Sequence, residues 1–95
     1  MSRRKYVVGN WKMNGLAAQL KELHLIDVGF SERLGLFTDA VICPPATLIM
    51  RAHEMLDADG SPVRVGGQDC NIKESGAHTG DISAEMLRDA GASYV

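Results

Sequence analysis

No long apolar run, no excess of charge of one sign and no cysteine cluster mark this sequence, and each absence removes a class of function. Nothing approaches the roughly 20 consecutive apolar residues a bilayer-spanning helix requires, and the N-terminus shows neither a secretory core nor a transit-peptide composition. A cytoplasmic location is the resulting expectation. The net charge is -2 and the pI about 5.8. The only basic cluster, Arg3-Arg4-Lys5, runs directly into an apolar strand pattern, so nucleic acid is not an expected partner. Cys43 and Cys70 are the only cysteines. They lie far apart and form no CxxC or Cys/His spacing, so neither a zinc site nor a structural disulfide is expected.

Gly66-Gly67 lacks both the spacing and the lysine of a phosphate-cradling loop, and no dinucleotide fingerprint occurs. No cofactor and no metal are expected. His53-Glu54 lacks the second histidine of a zinc-protease helix, and His24 and His53 read as helix-surface residues without a suitable partner. What remains is ordinary globular composition, 45% hydrophobic and 23% charged, in a chain of 95 residues. That is enough for one small packed domain and no second one.

The pattern along the chain is an apolar run followed by helical spacing, repeated. Lys5 to Gly9 reads as a first strand. Leu16, Leu20 and Leu23 then recur at helical intervals, with Gly29 as an end or kink. Thr38 to Cys43 forms a second strand, stopped by Pro44-Pro45, which lack amide donors. Pro45 suits the opening turn of a helix carrying Leu48, Ala52, Met55 and Leu56 on one face, and Asp57 to Pro62 is the turn out of it. Pro62 to Gly66 begins a third strand. The polar stretch Gln68 to Gly80 is too long for a routine connection. Ser83 is placed to cap a third helix, with Glu85 in its first turn, Met86, Leu87 and Ala90 as apolar contacts, and Gly91 as its stop. Ala92 to Val95 opens a fourth strand. Alternation of this kind predicts an α/β fold with a parallel sheet: three βα units plus the start of a fourth strand, in a single incomplete domain over residues 1–95.

The segment Asn10-Trp11-Lys12-Met13-Asn14-Gly15 follows the first strand directly, where a βα barrel places its active-site groups. Side chains alternate along a strand, which predicts Asn10 and Lys12 on one side and Trp11 turned towards packing. Spacing alone leaves two readings: an amide and an ammonium converging on an anion, or a solvated lysine beside a turn-forming asparagine.

Several ordered segments resemble the triosephosphate isomerase family. Gly9-Asn10-Trp11-Lys12-Met13-Asn14-Gly15 is similar to that family's opening signature, and Ile42-Cys43-Pro44-Pro45-Ala46-Thr47 to its second strand and Pro-Pro turn. Gly67-Gln68-Asp69-Cys70 is similar to the end of its third strand. The run from Ser75 to Ser83, continuing to Ala92, is similar to its third loop and helix. The resemblance implies the N-terminal part of a (β/α)8 barrel, whose full length is about 250 residues. It further implies an isomerase of glycolysis and gluconeogenesis interconverting glyceraldehyde 3-phosphate and dihydroxyacetone phosphate. Asn10 and Lys12 carry over as substrate-binding residues, and Lys12 also as a catalytic charge holding the phosphate end and stabilising the enediolate. The loop from Gln68 to Gly80 carries over as a homodimer contact, with Gly76, His78 and Thr79 at the interface, Thr79 near its tip and the His78 ring packing rather than reacting. The family's reaction also uses a glutamate base and a neutral histidine electrophile, a pairing for which triosephosphate isomerase is itself a standard illustration. Both are expected beyond Val95, so the 95 residues are expected to be inactive alone. A docking module for a longer partner and a stand-alone binder of small phosphorylated anions are the alternatives.

Overall fold

The computed structural model describes residues 3–33 and 37–95. Three parallel strands, β1 (Lys5–Asn10), β2 (Thr38–Cys43) and β3 (Arg64–Val65), lie side by side in that order. β1 and β2 pair over their full length, from Lys5 opposite Thr38 to Asn10 opposite Cys43. β3 pairs with β2 through Arg64 opposite Val41 and Val65 opposite Ile42. A fourth position beside β3 is taken by the chain after Gly91: Gly66 bridges Tyr94 in parallel, the Ser93 amide donates to the Val65 carbonyl at 2.8 Å, and the Gly67 amide donates to the Tyr94 carbonyl at 2.9 Å. The alternation read from the sequence is therefore present as three βα units and the beginning of a fourth strand.

The sheet's two faces divide the labour. Ala40, Ile42 and Val65 turn towards the helices and form the core with Leu23, Phe30, Ile49, Ala52, Leu56, Val63, Leu87 and Ala92. On the other face the space is tight. A Cβ at Gly66 would stand 2.9 Å from Cys43 Sγ, 3.2 Å from Val41 Cγ1 and 3.3 Å from Tyr94 Cβ. The rings of Tyr6 and Tyr94 meet edge-to-face with centroids 6.0 Å apart. Their strands are three places apart, about 14 Å along a flat sheet. A contact at 6.0 Å therefore requires the sheet to curl, bringing its first and fourth strands towards each other as the wall of a barrel does.

Helix α1 (Lys21–Arg33) differs from its sequence-based outline. A short 3₁₀ turn, Ala17–Leu20, precedes it, and the helix continues through Gly29 to Arg33 instead of ending there. Its buried stripe is Leu23, Asp27 and Phe30, whereas Leu16 is exposed. The physical reason is one of phase: the 3₁₀ turn has three residues per turn, so Leu16 and Leu23 do not share a face across it. A glycine inside a helix costs only about 1 kcal/mol, which the burial of Leu23 and Phe30 outweighs. Buried Asp27 accepts a hydrogen bond from the Ser61 hydroxyl, and Ser61 Oγ in turn accepts the Val63 amide at 3.1 Å, which ties α1 to the approach to β3.

Helix α2 (Ile49–Ala58) starts from a 3₁₀ turn, Ala46–Leu48, that follows Pro45, and buries Ile49, Ala52 and Leu56. The turn out of it begins at Asp59, two residues later than the sequence suggests. Helix α3 (Ala84–Ala90) has the expected ends. Ser83 Oγ accepts the Met86 amide at 3.2 Å, and Gly91 closes the helix in the left-handed region at φ 112°. Leu87 is buried, while Met86, expected to make apolar contacts, stands more than half exposed. Ser83→Ala is expected to cost about 1 kcal/mol, read as a lower urea midpoint at unchanged slope.

Candidate functional site

The chain turns sharply at the C-terminal end of β1. The Trp11 amide still donates to the Cys43 carbonyl at 3.1 Å, continuing the ladder one residue past Asn10. The indole then packs, half-buried, against the core, as expected, although Trp11 already lies past the end of β1. The turn wraps closely around it. A Cβ at Gly15, which lies at φ 112°, would stand 2.8 Å from the indole and 3.3 Å from Leu48 Cδ1, so only glycine fits. Asn14 Nδ2 donates to the Trp11 carbonyl at 2.9 Å and closes the turn.

Lys12 sits between these anchors at φ 57°, the one non-glycine residue at positive φ among the described residues. A side chain in the left-handed region costs about 1–2 kcal/mol, because Cβ crowds the backbone. Such a conformation persists where neighbouring groups hold it. Asn10 is one of them: its Oδ1 accepts the Lys12 amide at 2.8 Å. The structure thus joins Asn10 and Lys12 through side chain and backbone, leaving the lysine side chain exposed. The two residues are near neighbours as expected, but by a hydrogen bond at a turn and not by strand alternation, since β1 ends at Asn10.

A third residue belongs here that sequence reasoning placed only at the end of the third strand. Gln68 Nε2 donates to the Lys12 carbonyl at 2.8 Å and to the Cys43 carbonyl at 2.9 Å. Both partners are carbonyl oxygens and only accept, so the amide nitrogen must face them. One side chain from the chain after β3 therefore ties the ends of β1 and β2 together. A lone glutamine carries no sequence signal for this; its strand-end position is the only hint. Cys43, whose carbonyl is shared, has its thiol buried, and burial pushes that thiol's pKa up, so it remains protonated at neutral pH.

The loop after Gln68 is a separate unit with a closed neck. Asn71 bridges Ser83, its amide donates to the Ile82 carbonyl at 2.8 Å, and its side-chain nitrogen donates to Asp81 Oδ2 at 2.8 Å. Gly76, His78 and Thr79 are exposed on this loop. Gly76 lies at φ 147°, and a Cβ there would come within 2.9 Å of the His78 ring, so Gly76 and His78 pack together. The other histidines lie on helices: His24 Nδ1 is 3.4 Å from Asp59 Oδ2 on the surface, a partner the sequence did not suggest, and His53 lies against Gly91.

Comparison with known proteins gives these features a context. The family model for triosephosphate isomerase matches residues 5–95. The triosephosphate isomerase of Mesorhizobium japonicum is 56% identical over 92 residues, which cover 97% of this chain and 35% of that protein. That of Brucella abortus is 58% identical over 92 residues, again 97% of this chain and 35% of the relative. The crystal structure of triosephosphate isomerase from Bartonella henselae superposes with a TM-score of 0.84 at 45% identity, over 96% of this chain and 36% of that one. The chain spans about a third of the length of the relatives it matches. On this match in sequence and fold, the chain belongs to the triosephosphate isomerase family and corresponds to the N-terminal portion of its barrel.

Proposed function

We propose that the whole gene product isomerises glyceraldehyde 3-phosphate and dihydroxyacetone phosphate by proton transfer through an enediolate, with this segment supplying the charge that holds the substrate. The observation that carries the reading is Lys12, held at φ 57° by Asn10 at the C-terminal end of β1, the end of a βα barrel where substrate binds. An ammonium is a compact charge with three rotatable donors, suited to a phosphate oxygen and to an enediolate oxygen in a site that excludes water. Asn10 binds substrate beside it.

The same reading assigns Gly76, His78 and Thr79 to a homodimer contact, supported by their exposure on a loop whose neck is closed by its own hydrogen bonds. It places the protein in the cytoplasm and requires no cofactor. It also holds that the 95 residues alone do not turn over substrate. The reaction needs a base and an electrophile, and His24, His53 and His78 lie on α1, on α2 and on the loop after Gln68, none of them on the turn that holds Lys12.

A coupled assay that follows dihydroxyacetone phosphate formation tests this on the whole gene product and on the 95-residue chain in parallel. Turnover by the first and none by the second is the expected result; turnover by the short chain would refute the division of the site. The short chain is also expected to self-associate. Tyr6, Val7 and Val8 on β1 are each more than half exposed, and an apolar edge strand invites pairing. Sedimentation velocity checks this, and a monomer with one sharp thermal transition would contradict it.

A further inference from the structure

We infer that in the whole gene product Arg64 pairs with an aspartate or glutamate carried by the strands that follow Val95, completing a charged layer at the N-terminal end of the barrel interior. The inference rests on the fold and the family, and it stands whether or not Lys12 meets the substrate. Register is its starting point. Arg64 lies opposite Val41, and Val41 opposite Val8, so the three form one row across the sheet. Val63 and Val65, on either side of Arg64, are 3% and 2% exposed in the core. Alternation therefore puts Arg64 on the other face, the one that carries Tyr6 and Asp39 two residues before Val8 and Val41.

Charge on that face does not balance. Arg4 Nε donates to Asp39 Oδ2 at 2.6 Å, which matches one guanidinium with one carboxylate. Arg64 is exposed, and its guanidinium has no salt-bridge partner among the described residues. The sheet is already curled enough to bring Tyr6 and Tyr94 together at 6.0 Å, and the relatives are about three times longer, so further strands close over this face. The inside of an eight-stranded barrel is filled by side chains and not by water. A charge taken from water there is costly unless it is paired, and the planar fork of arginine fits a carboxylate with two parallel hydrogen bonds. Asp39 alone would leave one positive charge in excess.

The test is a crystal structure of the whole gene product, with the thermal midpoint of Arg64→Met measured beside it. The structure is expected to place a carboxylate oxygen from beyond Val95 within about 4 Å of the Arg64 guanidinium. Arg64→Met keeps a long side chain and removes the charge, which strands that carboxylate, and the midpoint is expected to fall by about 10 °C. Arg64→Lys is expected to recover part of the loss, because it restores the charge without the fork. A guanidinium that reaches out of the barrel mouth into water, turns to Asp39 alone or holds a bound anion overturns the proposal. So does a midpoint for Arg64→Met within about 2 °C of the parent. Should Arg64→Met not fold, the contact in the parent structure decides. A parent without isomerase activity would refute the functional reading and leave this one standing, since neither measurement uses turnover.

Discussion

Lys12→Ala in the whole gene product is expected to lower kcat/KM by about 10³-fold, while the melting temperature stays within a few degrees of the parent. Removal of one preorganised donor from a developing oxyanion costs about 10²–10³ in rate, and on the proposed reading the lost group is also the full positive charge assigned to the phosphate. The two roles are separable. Phosphate holding is felt equally by substrate and transition state and appears in KM, whereas charge on the enediolate exists only along the reaction and appears in kcat. Both parameters are therefore expected to move. Lys12→Arg is expected to recover little, because the planar guanidinium is larger and its donors sit in a fixed fork. Stability is expected to change little in the alanine variant because the side chain is exposed and the left-handed backbone strain is the same for any residue with a Cβ. Competitive inhibition by inorganic phosphate should weaken in parallel. A variant that loses kcat alone, with phosphate inhibition intact, would remove the phosphate role.

Gly91→Ala is expected to be the costliest small substitution at the helix junction, destabilising the protein by about 3 kcal/mol in urea unfolding. Two effects add. Gly91 closes α3 at φ 112°, a conformation in which a Cβ is strained. The added carbon would also stand 2.3 Å from His53 Cγ and 2.6 Å from His53 Cβ. Rotation of the imidazole relieves the first contact and not the second, since Cβ is fixed by the α2 backbone. The helices α2 and α3 must therefore separate, and overpacking of this kind costs about 1–3 kcal/mol. His53→Ala is accordingly expected to rescue only part of the loss, and a double-mutant cycle measures the remainder. Full rescue by His53→Ala would show that the ring alone makes the clash.

Features decided within a few residues were legible in the sequence. The Ser83 cap, the Gly91 stop and the Pro44-Pro45 end of β2 depend on the hydroxyl, the missing Cβ and the missing amides of those residues, and the structure places each as read. Features decided by phase or by distant partners were not. The helical spacing of Leu16, Leu20 and Leu23 is genuine in sequence, but the 3₁₀ turn before α1 rotates Leu16 into solvent, and the buried stripe passes to Asp27 and Phe30. Asp27 gave no signal, because its partner Ser61 arrives from 34 residues away. Gln68 is the same case at the site: the sequence shows a polar residue at a strand end, and only the fold brings the Lys12 and Cys43 carbonyls to its amide. Asn10 and Lys12 were singled out through the family resemblance, whereas the backbone turn at positive φ that joins them was not legible.

The measurement that bears most directly on the function is turnover of glyceraldehyde 3-phosphate by the purified whole gene product, followed as dihydroxyacetone phosphate and repeated with Lys12→Ala. The isomerase reading predicts rapid turnover that falls by about 10³-fold on loss of the ammonium. No turnover by the parent, or undiminished turnover by Lys12→Ala, would contradict it.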